Sequence, residues 1–151
     1  MRLWSYQILP YLPTSQLIAQ KRECDLIWKD IANGKQTNHI LINYIWEYED
    51  YETELMFYYR MLYDEFVKRG FKFNYHKNSI LVGIIDGYYH KPFKNHHNNR
   101  YLLQCFFNLF EKYQRGQKDF NYNTMNDLFE FVNMTLDGTL DKISEVVPLR
   151  Y

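Results

Sequence analysis

The sequence predicts a mainly α, single-domain protein, and three observations carry that expectation. Apolar residues recur at helical spacing in four long segments, each closed by a glycine or an Asp-Gly pair. The chain has 151 residues, 46% of them hydrophobic, enough for one core and too few for two. No internal repeat, linker or low-complexity tract divides it.

Residues 1–13 read as an extended lead-in, because Pro10 and Pro13 both oppose a helix. Thr14 or Ser15 is the expected N-cap of a first helix to about Ala32, which Asn33-Gly34 stops. Its apolar stripe is Leu17, Cys24, Trp28 and Ile31. The stretch His39 to Trp46 is apolar and ambiguous. A second helix is expected from about Glu49 to Arg69, with Leu55, Tyr59, Leu62, Phe66 and Val67 as its apolar positions and Gly70 as its end. Ser79 to Ile85 is rich in β-branched and apolar residues and reads as a strand or a buried connector. Residues 86–98 hold Gly87, Pro92 and the pair His96-His97, and read as loop. Three more helices follow: about Asn99 to Tyr113, Thr124 to Leu136 and Thr139 to Val146.

Composition narrows function by exclusion. Cys24 and Cys105 are two thiols in apolar helical context, too few for a disulfide framework. The N-terminus lacks a signal-type apolar run, and nowhere do about 18 apolar residues follow one another. A cytoplasmic protein without a membrane partner is therefore expected. No phosphate loop, dinucleotide fingerprint or Cys-x-x-Cys occurs, so no small-molecule cofactor is expected. His90, His96 and His97 lack an acidic or cysteine partner at ligand spacing. They read as exposed or phosphate-facing, and no metal is expected. The 15 Tyr and 11 Phe either pad a core or build a broad surface that stacks on something flat.

Formal charge is zero, with 18 basic and 18 acidic residues, but it is unevenly placed. Residues 41–66 carry 1 basic and 7 acidic groups, whereas residues 67–125 carry 10 basic and 3 acidic. The expectation is a basic face joining Arg2 and Arg22 to this second stretch, with the acidic stretch 47–54 on another face.

On the first helix, Glu23 flanks the apolar stripe together with Gln16, Gln20 and Ile27, while Arg22 lies on the other flank. By itself that pattern fits a solvated charge pair. Yet Gln16-Leu17-Ile18-Ala19-Gln20-Lys21-Arg22-Glu23, Ala32-Asn33-Gly34-Lys35 and Lys68-Arg69-Gly70-Phe71 fall in an order and spacing that resemble the pyrimidine-dimer DNA glycosylase/AP lyase family, in its phage endonuclease V-like branch. The opening Met1-Arg2-Leu3-Trp4 and the later Asn99-Arg100-Tyr101-Leu102 resemble the bacterial branch. The resemblance is clearest over residues 1–72, with 73–151 divergent inside one domain. Leu26 stands where the phage branch has a further arginine.

The resemblance implies an all-helical fold whose N-terminal segment threads between helices. It implies damaged double-stranded DNA as the partner, most naturally at pyrimidine dimers. The chain's α-amine, here that of Met1 because bulky Arg2 opposes its removal, would attack the sugar C1′ and form a Schiff base. Glu23 would serve as acid/base, and Arg2, Arg22 and Gln16 would hold the DNA. Lys91, Lys94, Arg100 and the histidine pair are candidates for further DNA contacts from the divergent half. The chemistry suits the group: an α-amine has a pKa of about 7.7–8.0 against about 10.4 for lysine, so far more of it is neutral at pH 7. The competing readings are a nucleic-acid-binding protein without chemistry and a non-catalytic helical interaction module on the same scaffold.

Overall fold

The computed structural model describes residues 1–79 and 90–149. Five α-helices make the frame: α1 Thr14–Ala32, α2 Tyr51–Lys68, α3 Asn99–Gln114, α4 Tyr122–Thr135 and α5 Thr139–Val146. Two 3-10 turns, Tyr6–Tyr11 and Asn43–Glu47, join them, and no strand occurs among the described residues. The mainly α fold is thus the one the helical periodicity predicts. Most of the strand-like segment 79–85, and Gly87, lie outside the described residues.

The helix ends follow local chemistry. After α1, Gly34 takes φ +70°, its N–H bonds Ile31 O at 3.0 Å and the Lys35 N–H bonds Asp30 O at 2.8 Å. After α2, Gly70 takes φ +76°, with Gly70 N–H to Val67 O at 3.0 Å and Phe71 N–H to Phe66 O at 2.8 Å. Both are left-handed caps that satisfy the last carbonyls and that a side chain would strain. Asn98 and Asn121 cap α3 and α4 by accepting from Tyr101 N–H and Thr124 N–H.

Three local expectations are corrected. Thr14 is the first helical residue, and Pro13 stands at the cap, its carbonyl accepting from Gln16 and Leu17 N–H at 3.0 Å each. The lead-in is not extended throughout: Tyr6–Tyr11 winds into a 3-10 turn that contains Pro10. So short a turn needs few internal bonds, and Ile8 N–H to Ser5 O and Leu12 N–H to Leu9 O supply them without Pro10. Val67 is 54% exposed, because one residue beyond buried Phe66 the helix has already turned its face to solvent.

The core is continuous. α1 packs on α2, α3 on α4 and α4 on α5, while the first 3-10 turn packs on both α2 and α4. Leu17, Cys24, Ile27 and Trp28 of α1 meet Leu55, Tyr58, Tyr59 and Leu62 of α2, and Leu102, Cys105, Phe106 and Leu109 of α3 complete the cluster. The chain's first turn is therefore embedded in the core rather than laid over it. Leu3, Ile8 and Leu9 have at most 1% of their surface exposed.

Candidate active site

Residues 1–5 run outside any helix or strand into this core, where a backbone without regular partners would leave its polar groups unpaired. Side chains from three helices take that role. From α1, Gln20 Nε2 donates to Arg2 O at 2.8 Å, while Gln20 Oε1 accepts from Trp4 N–H at 2.6 Å. From α2, the Tyr58 hydroxyl lies 2.7 Å from Trp4 O and 2.9 Å from Gln20 Oε1 and shares its one proton between them. From α3, the Tyr101 hydroxyl donates to Leu3 O at 2.5 Å and Cys105 Sγ accepts from Ser5 N–H at 3.5 Å. His97, just before α3, accepts Tyr6 N–H on Nδ1 at 3.2 Å.

Burial fixes the protonation of these tethers. It pushes the Tyr58 and Tyr101 hydroxyls above their ordinary range, so both remain donors. The Cys105 thiol is pushed up to about 11 by the same cause. Burial lowers His97 to about 3, helped by neighbouring His96, so the ring is neutral. Since its Nδ1 accepts, its proton sits on Nε2, 2.6 Å from the Tyr44 hydroxyl. The expectation of an exposed or phosphate-facing His97 is overturned: the side chain is 2% exposed and serves as a tether. His90 pairs with Glu54, and His96 with Glu47 at 3.1 Å. Two members of the acidic stretch are thus drawn against the basic one instead of onto a separate face.

The tethers bring the Arg2 backbone, next to the amino terminus, against Glu23. The Arg2 N–H donates to Glu23 Oε2 at 2.9 Å, and Gln20 Nε2 reaches the same oxygen at 3.2 Å. No hydrogen bond to Oε1 occurs among the described residues. Covalent geometry puts successive backbone nitrogens no more than about 3.7 Å apart, so the Met1 amine lies at most about 6.6 Å from Glu23 Oε2. The amine's direct neighbour is His39, whose Nε2 is 3.4 Å away. Met1, Arg2, Gln16 and Glu23 share the wall of an open cleft of about 400 Å³ with Glu111, Lys112 and Arg115 at the end of α3.

Two further depressions continue this cleft. Arg2 and Leu41 also line one of about 280 Å³ with Tyr44, His96 and Arg100, in which Tyr44 stacks on His96 at 4.7 Å. Arg100 and Asn98 lead on to a third, lined by Lys91 and Lys94. Among the described residues Arg2, Arg22, Lys91, Lys94 and Arg100 enter no ion pair. Four of these five border the track. Arg22 does not: it is exposed on α1, outside all three linings. Among the described residues no cluster of three His, Cys, Asp or Glu is placed to hold a metal, and no helix is long and apolar enough to cross a membrane.

Sequence reading did not single out His39, Tyr58 or Tyr101. The first sits in the ambiguous 39–46 stretch, and the tyrosines look like ordinary core aromatics. Gln20 carried a signal: an amide that α1 buries to 1% exposure, three residues before Glu23, has to bond something.

An all-helical scaffold that ties the Arg2 backbone to a carboxylate, beside cations that enter no ion pair among the described residues, is an arrangement a helical DNA-repair glycosylase can use. The family comparison makes this particular. The chain belongs to the pyrimidine dimer DNA glycosylase family, whose model matches residues 1–79. No curated protein and no solved structure matches it.

Proposed function

We propose that this DNA-repair glycosylase acts on pyrimidine dimers in duplex DNA and cuts the strand as an AP lyase, with the α-amine of Met1 as nucleophile. The observation that carries the reading is the Arg2 N–H to Glu23 Oε2 hydrogen bond, which ties the residue next to the amine to the one carboxylate of α1 in the cleft.

The neutral amine attacks C1′ and the glycosidic bond breaks, its electron pair leaving with the base, which takes up a proton. The nitrogen, now positive, gives a proton to Glu23. The C1′–O4′ bond then opens to the iminium as Glu23 returns that proton to O4′. Loss of a C2′ proton expels the 3′ phosphate, and water hydrolyses the Schiff base to free Met1. The Glu23 carboxylate stabilises positive charge at the sugar, the kind of preorganised electrostatic help that dominates many enzymes. Arg2, Arg100, Lys91 and Lys94 follow the backbone phosphates away from the cleft, and Gln16 contacts the DNA at its rim. Arg22, exposed on α1, contacts a flanking phosphate. Since such an enzyme must reach a carbon inside a stacked duplex, it distorts the duplex and extrudes a nucleotide.

Borohydride trapping tests this reading. The wild-type protein is expected to form a covalent adduct with abasic duplex, and acetylation of the Met1 amine to abolish it. Salt-sensitive binding without an adduct would indicate a DNA-binding protein without this chemistry.

A further inference from the structure

The chain between α1 and the second 3-10 turn carries two adjacent apolar side chains that the fold leaves in the open. Ile40 is 87% exposed and Leu41 41%, whereas the next residue, Ile42, is fully buried. Ile42 anchors this tip in the core, and local bonds fix its backbone. The His39 carbonyl accepts from Ile42 and Asn43 N–H at 3.0 and 2.9 Å, Asn43 Oδ1 accepts from His39 N–H at 2.9 Å, and Leu41 N–H donates to His39 Nδ1 at 3.2 Å. The stem is tied as well: Trp46 Nε1 donates to Thr37 O at 3.0 Å, and the Thr37 hydroxyl to Asp30 at 2.6 Å. A single exposed isoleucine needs no explanation, but the position of this pair does. Leu41 lines the cleft that holds Met1 and Glu23, and Ile40 and Leu41 both line the neighbouring depression with Arg2 and Arg100. The tip thus stands where the two hollows meet.

We propose that Ile40 and Leu41 form a wedge that enters the base stack beside the lesion and holds open the gap left as the nucleotide is extruded. This rests on the reading above that the substrate is duplex DNA. Two features select a base step as the occupant of this tip. First, Arg2 and Arg100 beside it enter no ion pair among the described residues, which suits the phosphates that flank a base step. Second, the tip borders the cleft of Met1 and Glu23, the place where a sugar carbon has to be drawn out of the stack. Aliphatic side chains fit between bases because they cover the apolar base faces and require no hydrogen bond. Their insertion partly unstacks the step and bends the duplex. Contact with the bases also buries the surface that Ile40 exposes in the free protein, which favours the bound state. The anchoring of the tip through Ile42 and the His39–Asn43 bonds means that little ordering remains to be done on binding.

The test compares wild type with the double variant Ile40→Ala/Leu41→Ala and with Ile40→Met/Leu41→Met, which keeps apolar bulk, in two readouts. The first needs no chemistry: the fluorescence of an aminopurine placed beside a tetrahydrofuran abasic analogue in a duplex, which brightens when the base is unstacked. The second is the single-turnover rate of borohydride trapping on abasic duplex and on abasic single strand, at saturating protein. Wild type should brighten the probe, and the alanine variant should bind the duplex but leave the probe dim. Since unstacking a step costs a few kcal/mol, the alanine variant should lose about tenfold or more on the duplex. It should lose little on the single strand, where no duplex stack has to be opened, and the methionine variant should recover most of the loss. Equal loss on both substrates, or full brightening by the alanine variant, overturns the wedge while leaving the amine mechanism standing. If wild type brightens the probe but is never trapped, the amine mechanism fails and the wedge stands. If wild type does not bind the duplex, both fail.

Discussion

Residues 1–79 and 90–149 spend their polar side chains differently. The first region supplies the reacting groups of the proposed mechanism, Met1 and Glu23, together with Gln20 and His39. The second supplies no group of that pair, yet three of its side chains, His97, Tyr101 and Cys105, hold the backbone at Tyr6, Leu3 and Ser5. The family match ends at residue 79, whereas the pose of the first six residues depends on both regions. Chemistry and presentation are thus divided along the chain. A segment outside any helix or strand cannot satisfy its own backbone, so its tethers come from whichever helices surround it, here α1, α2 and α3.

The division is sharpened most by variants that act on one side only. Glu23→Gln is expected to lower turnover on dimer-containing duplex by about 10²–10⁴, the usual worth of general acid/base help. Its melting stability should stay within about 1 kcal/mol, because Glu23 is only half-buried beside the stripe. Cleavage by Glu23→Gln at the wild-type rate would remove Glu23 from the mechanism.

Tyr101→Phe belongs to the other side. It leaves the Leu3 carbonyl without its donor inside the core and should cost about 1–3 kcal/mol in denaturant melts. Because it frees the segment that carries Met1, trapping should slow as well. A variant that melts early but traps normally would show that presentation does not need the second region.

His97 gives the comparison a pH signature. Its pKa is lowered to about 3 in the fold against an ordinary 6.5. Above pH 6.5 both states are neutral and pH has no effect through this group. Between 6.5 and 3 the unfolded chain binds the proton and the folded one does not, so stability falls as pH falls, by about 1 kcal/mol per pH unit. Melts of His97→Gln should show a shallower acid slope than wild type across that window. Parallel slopes would mean that the imidazole is not held neutral.

Arg100 tests whether the second region touches DNA. Arg100→Ala should flatten the plot of log affinity against log salt by about 0.9 if it loses one phosphate contact, and an unchanged slope would place the DNA elsewhere. The smallest expected effect is at a helix end. Gly34→Ala meets no atom within 4 Å, so it should cost only the left-handed strain, about 1 kcal/mol in thermal melts.

Helix number, the glycine-closed helix ends and the buried stripe of α1 were determined by the sequence, since each depends on residues within a turn or two of one another. Apolar spacing marks the buried stripe, and Gly34, Gly70 and Gly116 stop helices by a local rule. The family, too, was legible from short motifs around Gln16–Glu23, Ala32–Lys35 and Lys68–Phe71. Tertiary structure alone decided which polar groups meet across the chain. Nothing near Tyr101 in sequence marks it as the partner of Leu3, 98 residues away, nor His97 as a buried base for Tyr6. His39 belongs to the same class: 38 residues separate it from the amine it faces. Periodicity records whether a side chain is turned inward. It does not record what stands opposite, because that is set by how the helices pack and by the need of a buried irregular segment to find donors and acceptors wherever they are.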